Sequence, residues 1–181
     1  MNITDIDDKT IRDSQQQWKT LLEHTQFYTK HFLDDIEKLN IVKADNIVPI
    51  STVIPEMSRM INTMLRRKNA YLEPDWSIYF NIKTFKKYWK LAHLDMKWMK
   101  ESVRVNNDEY DKENVADFAL WKAWSENDWE NYWEEEFEIG WKKQIIKWRP
   151  GWHIECSACA MKYLWPQIDL HMWWIDNLFP H

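Results

Sequence analysis

A largely helical α/β fold is predicted for this chain. Three observations carry that expectation. Apolar residues recur at close to a 3.6-residue period through Leu21, Leu22, Phe27, Phe32, Leu33, Ile36 and Leu39, and again through Ile54, Met57, Met60, Ile61 and Met64. Between Ala70 and Ile82 two short β-prone runs flank a Pro74-Asp75 turn. From His153 onward a helix pattern is followed by the short apolar run Ile168-Asp169-Leu170-His171.

Taken in order, residues 4 to 39 read as helix. Thr4 and Asp5 can cap it, and Asp7 and Asp8 stand where carboxylates complement the helix dipole. The polar stretch Lys43 to Asn46 leads to Pro49, and a second helix is expected from about Thr52 to Arg67, with Pro55 in its first turn. Ala70-Tyr71-Leu72 and Ser77-Ile78-Tyr79-Phe80 form the predicted hairpin. Residues 83 to 116 are charged and irregular, with room for a short helix near Thr84 to Trp89. The acidic run Glu134 to Glu136 and the basic set Lys142, Lys143, Lys147 and Arg149 read as a solvated loop. Pro150-Gly151 breaks the chain, His153 to Leu164 is helix ended by Pro166, and Ile168 to His171 is a short buried strand.

Composition narrows the function classes. The chain has 181 residues, with 2 Gly and 14 Trp, whereas ordinary usage would give roughly 13 Gly. As it stands the sequence excludes collagen-like, linker-like and glycine-loop architectures. Its 45% hydrophobic content and net charge of -5 argue against disorder and against a global basic field for nucleic acid. The opening MNITDIDDK lacks a signal-peptide core, and no apolar run approaches the roughly 18 residues of a membrane span. Two cysteines in such a chain suggest a reducing, cytoplasmic setting.

Cys156 and Cys159 form a CxxC on the predicted helix. The spacing suits a redox pair, half of a zinc site or two small core residues. His153, His171 and His181 are the nearby imidazoles, and a thiolate-imidazole set suits zinc better than magnesium or calcium. Asp176 follows the predicted strand by a few residues. An acid there can meet a ribose, or be an ordinary loop residue.

Several runs resemble the cysteinyl-tRNA synthetase family, in order and across essentially the whole chain. They are Asn2-Ile3-Thr4-Asp5-Ile6-Asp7-Asp8-Lys9, Ile54-Pro55-Glu56-Met57, Ser77-Ile78-Tyr79-Phe80 and Asp117-Phe118-Ala119-Leu120-Trp121-Lys122. The most specific is Arg149-Pro150-Gly151-Trp152-His153-Ile154-Glu155-Cys156-Ser157-Ala158, followed by Ile168 to His171, Ile175-Asp176 and Phe179-Pro180-His181.

The resemblance implies a class I, Rossmann-like catalytic domain split by a connective insertion. Residues 1–48 would belong to its first half, 49–148 to the insertion, and 149–181 to the start of the second half. It implies ATP-dependent activation of cysteine, transfer to tRNA(Cys), and a zinc ion that selects the substrate thiolate over a serine hydroxyl. Cys156 and His181 resemble zinc ligands. Thr4, Trp152 and His171 resemble residues near the bound cysteine, and Asp176 the acid that meets the ribose of ATP. Trp173 and Trp174 stand where the family has a glycine run against the adenylate. Cys159 falls at a variable family position, and no residue is assigned a catalytic role. The family's phosphate-binding HIGH segment, KMSKS loop and two further zinc ligands are not in this sequence, so the chain is expected to be an internal piece of the enzyme, inactive by itself. A related ligase that joins cysteine to an amino-sugar in mycothiol synthesis shares the same logic. A Trp-rich binding module and an inactive truncated product are the remaining alternatives. Oligomeric state is left open.

The glycine positions are the main departure. Trp18, Trp76, Trp89, Trp98, Trp148, Trp165, Trp173 and Trp174 all fall where the family usually has Gly. A source that reads UGA as glycine, translated with a table that reads UGA as tryptophan, gives this pattern. Restoring these positions raises the glycine count from 2 to 10. Trp121 and Trp152 match genuine family tryptophans, while Trp124, Trp129, Trp133 and Trp141 have no assignment from sequence.

Overall fold

The computed structural model describes residues 1–90 and 117–173. Two parallel strands, β1 (Asn2–Ile3) and β2 (Val48–Pro49), are joined through α1 (Asp8–Gln16) and α2 (Leu21–Lys38), which makes one βαβ unit. A 3-10 turn over Ile50–Val53 then runs into α3 (Ile54–Arg66). The strands β3 (Ala70–Leu72), β4 (Ile78–Phe80), β5 (Phe118–Ala123), β6 (Trp133–Ile139) and β7 (Lys142–Pro150) form one antiparallel sheet, in the order β3-β4-β5-β7-β6. The helix α4 (Trp152–Leu164) follows β7 directly. No helix among the described residues is long and apolar enough to cross a membrane.

The expected first helix is two helices. Thr4 and Asp5 precede it, and the Asp7 side chain accepts from the Lys9 amide as the N-cap of α1. That helix ends in a Schellman arrangement at Trp18, where the Trp18 amide donates to Gln15 and the Lys19 amide to Ser14. Thr20 and Glu23 then form a capping box that restarts the chain as α2. Apolar periodicity runs through such a break because it reports faces, not hydrogen bonds.

Two further expectations change. The acidic and basic runs are not a solvated loop but the facing strands of a hairpin. Glu134 lies opposite Lys147 and Glu138 opposite Lys143, so the two charge runs neutralise each other across the strands. The alternation is hidden in sequence because three consecutive glutamates carry it, with only Phe137 fully buried beneath. Residues 168–171 form no strand: Leu170 is exposed and nothing among the described residues pairs with this run. A buried strand needs a neighbour to accept its backbone groups, and none stands beside this run among the described residues. The short helix expected near Thr84 to Trp89 is two 3-10 turns, Ile82–Thr84 and Tyr88–Lys90.

α3 is the centre of the packing. Its buried face (Ile54, Met57, Ile61) meets the sheet at Trp121 and Phe137 and meets α4 at Ile154 and Ala158. Trp121 and Phe137 pack edge to face at 5.3 Å. α3 also closes the open edge of β6: the Asn62 amide donates to Glu136 O at 3.0 Å, and its Oδ1 accepts from the Glu138 amide at 2.8 Å. A side chain thereby satisfies strand-edge groups that would otherwise invite another strand.

The junction of β7 and α4 is the tightest point. The Gly151 amide donates to Leu120 O at 2.9 Å, and a Cβ at Gly151 would lie 2.1 Å from Ala119 O. Beside it Arg149 forms ion pairs with Asp8 of α1 and with Asp128, whose carboxylate lies 2.8 Å from Arg149 Nε. Lys122 of β5 adds a 2.9 Å pair to Asp8. The βαβ unit, the large sheet and α4 therefore meet at one charged knot. Glu155 lies against this knot at 2% exposure; burial, with Asp7 and Asp5 nearby, pushes its pKa well above the usual carboxylate value.

Gly151→Ala is expected to destabilise the chain by about 2 kcal/mol or more, because the methyl meets backbone that cannot step aside; a urea melt measures this. The raised pKa of Glu155 gives a second expectation. The folded state holds this proton more tightly than the unfolded state, so stability falls as pH rises above the ordinary carboxylate range of about 4.3. Thermal melts across that window should show the decline in the parent chain and its loss in Glu155→Gln.

Candidate functional site

α4 begins at the glycine-bounded junction and carries Trp152, Cys156 and Cys159 along one helix. Cys156 sits one turn in. Its thiol is buried, and the Asn2 side-chain amide of β1 approaches Sγ at 3.7 Å. Burial, with Glu155 and Cys159 as neighbours, pushes the thiol up to about 12. Without a cation beside it, Cys156 is a neutral thiol.

Cys156 opens onto a cavity of about 420 Å³ that Asn2, Cys159, His171 and Trp173 also line. His171 stacks on Trp173 at 5.7 Å with the rings 15° apart, and Trp152 meets Trp173 edge-on at 6.5 Å. The sequence-derived residues Cys156, Trp152, His171 and Trp173 are thus brought together. Thr4 stands apart, on a neighbouring groove with His24 and Tyr28, and Asn2 lines both spaces. Trp174, Asp176 and His181 lie outside the described residues.

Chemically the cavity offers a soft sulfur donor, an imidazole and aromatic faces. Among the described residues no group of three His, Cys, Asp or Glu side chains could hold a metal ion. The donor set fits zinc at one corner, through the Cys156 sulfur, and does not complete a site within the described residues. Cys159 is less buried than Cys156; burial raises its pKa too.

Sequence reasoning missed Asn2 and the charged knot at the start of α4. Both lie in runs already conspicuous in the sequence: Asn2 and Asp8 in the opening motif, Arg149 in the motif around Cys156. The signal was available in the pairing of an acid-rich motif with an arginine, but only the fold shows that they meet.

Comparison with known proteins places the chain. The model of the class I (C) tRNA-synthetase catalytic domain matches residues 1–181. A cysteine–tRNA ligase of Chlamydia pneumoniae is 43% identical over 182 residues, covering 100% of this chain and 37% of that protein. Those of Brachyspira hyodysenteriae and Protochlamydia amoebophila are 44% and 46% identical, with the same coverage. The chain spans about 37% of the length of these curated relatives. With the family model matched from end to end, the chain belongs to the class I (C) tRNA-synthetase catalytic-domain family.

Proposed function

We propose that this chain is the part of a cysteine–tRNA ligase catalytic domain that builds one wall of the cysteine and adenylate site. One observation carries the reading: a buried thiol, Cys156, opens onto a cavity shared with His171 and Trp173, in a chain similar throughout to proteins named cysteine–tRNA ligases. The whole enzyme would join cysteine to tRNA(Cys) at the expense of ATP. The amino-sugar ligase reading gains no support from relatives named for tRNA ligation. A Trp-rich binding face gains none either, because Trp18, Trp76, Trp129 and Trp165 sit on four separate turns.

In this reading Cys156 and His181 are ligands of a zinc ion. Bound zinc would supply a soft Lewis acid that prefers a thiolate to a hydroxyl, and so separates cysteine from serine. The chain's own contribution is positional. Gly151 and Arg149 fix the start of α4, and Asn2 orients the Cys156 sulfur. Trp152 and His171 would contact the amino acid from this cavity, and Thr4 from the adjoining groove that Asn2 also lines; Trp173, Trp174 and Asp176 would face the adenylate.

Cys156 must lose its proton to bind a cation, so zinc affinity should rise with pH. Metal-free chain should be alkylated at Cys156 about a thousandfold more slowly than urea-unfolded chain near neutral pH, followed by mass spectrometry of the Cys156 peptide. The activity test uses the full-length protein encoded around this segment. It should catalyse cysteine-dependent exchange between ATP and pyrophosphate, and Cys156→Ala should lower kcat/KM for cysteine by about tenfold or more and reduce bound zinc. A full-length protein that shows no cysteine-dependent exchange contradicts the reading.

A further inference from the structure

Six non-glycine residues among those described have positive φ, and four of them are tryptophans: Trp18 (55°), Trp76 (72°), Trp129 (53°) and Trp165 (69°). Asn40 and Lys68 are the others. A left-handed backbone crowds any Cβ, and for a bulky residue it is a genuine outlier. Asparagine tolerates it, and glycine adopts it freely.

Each tryptophan occupies a turn whose hydrogen bonding calls for glycine. Trp18 is the C′ residue of the Schellman motif that ends α1. Trp76 follows Pro74-Asp75 in a three-residue hairpin loop, with its amide donating to Glu73 O at 2.9 Å, the position where such loops place a left-handed glycine. Trp165 ends α4 at φ 69°, ψ 171°, a region populated essentially by glycine alone, and Pro166 follows. Trp129 is one of the four tryptophans that the sequence left unassigned. It has φ 53° and ψ -123°, and the Asn131 amide closes the turn onto Asp128 O at 2.9 Å. Those angles are the first central position of a type II′ turn, a glycine position.

None of the four indoles is buried in the core. Trp18 is 92% exposed and Trp165 80%, while Trp76 and Trp129 are about half exposed. At Trp129 the visible role is played by backbone: its carbonyl accepts from Trp124 Nε1 at 2.9 Å, which glycine would do equally well. Trp121 is the contrast. It is 0% exposed, lies in β5 and fills the core against Phe137. The two glycines that the sequence does contain also sit at demanding places, Gly140 at φ 63° in the β6–β7 turn and Gly151 against Ala119.

We infer that glycine occupies position 129, together with 18, 76 and 165, in the protein the source organism makes, these codons being read there as glycine. Trp121 remains tryptophan. The inference rests on backbone geometry and does not depend on the ligase reading. The test is the gene and the natural protein together. UGA codons at 18, 76, 129 and 165, UGG at 121, and a natural peptide whose mass carries glycine at 129 are expected. UGG at 129, or a natural peptide with tryptophan there, overturns the inference. A second measurement reads the geometry itself. Trp129→Gly should raise the folding equilibrium constant of the purified chain by about tenfold. A fall in that constant overturns the claim that the turn is built for glycine.

Discussion

The close approach of Gly151 to the backbone of β5 is the constraint on which the rest of the structure hangs. At that point a strand ends and a helix begins with no room for a side chain between them. A hydrogen bond from the Gly151 amide to Leu120 O fixes the distance. Arg149, one step earlier, ties the same point to Asp8 on α1 and to Asp128 beyond β5. Asp128 is buried and Arg149 largely so, which makes this pairing unlike the exposed Lys30–Asp34 pair of α2. A surface pair is worth little, whereas a buried one left half-broken costs several kcal/mol. Three separate parts of the chain are therefore positioned by one joint.

The consequences reach the candidate site through a single helical turn. Cys156 lies five residues beyond Gly151, on the side of α4 that faces β1. Its thiol is neutral because it is buried and has acidic company, not because it lacks room to act. Little water competes for the sulfur there, and a cation that bound it would have to displace its proton. Trp173 and His171 stack on each other and line the same cavity. The lining thus answers to two different constraints, one set by the rigid joint and one by aromatic packing of the segment after α4.

Much of the helical architecture was legible. The apolar spacing from Ile54 to Met64 and the placement of Pro55 located α3, and Pro150-Gly151 located the start of α4. The hairpin of β3 and β4 was legible from its turn residues. What failed did so for identifiable reasons. Glu134, Glu135 and Glu136 concealed a strand because charge overwhelmed the two-residue period. Periodicity also carried through Trp18 and hid a helix break. Ile168 to His171 looked like a strand because its residue types suit one, yet a strand exists only with a neighbour. For the site, Cys156, Trp152, His171 and Trp173 were legible through family resemblance alone; the CxxC spacing left three readings open. Asp8 and Arg149 stood in conspicuous runs, but that they meet, with Lys122 and Asp128, was not legible, since the four are far apart in sequence.

Amide hydrogen exchange at Gly151 reads the joint that positions α4 and Cys156 through a single proton. If the joint holds the fold together, that proton exchanges only through global unfolding, with a protection free energy equal to the stability of the whole chain. Exchange at the rate of a fraying helix end, while the amides of β5 stay protected, would contradict it.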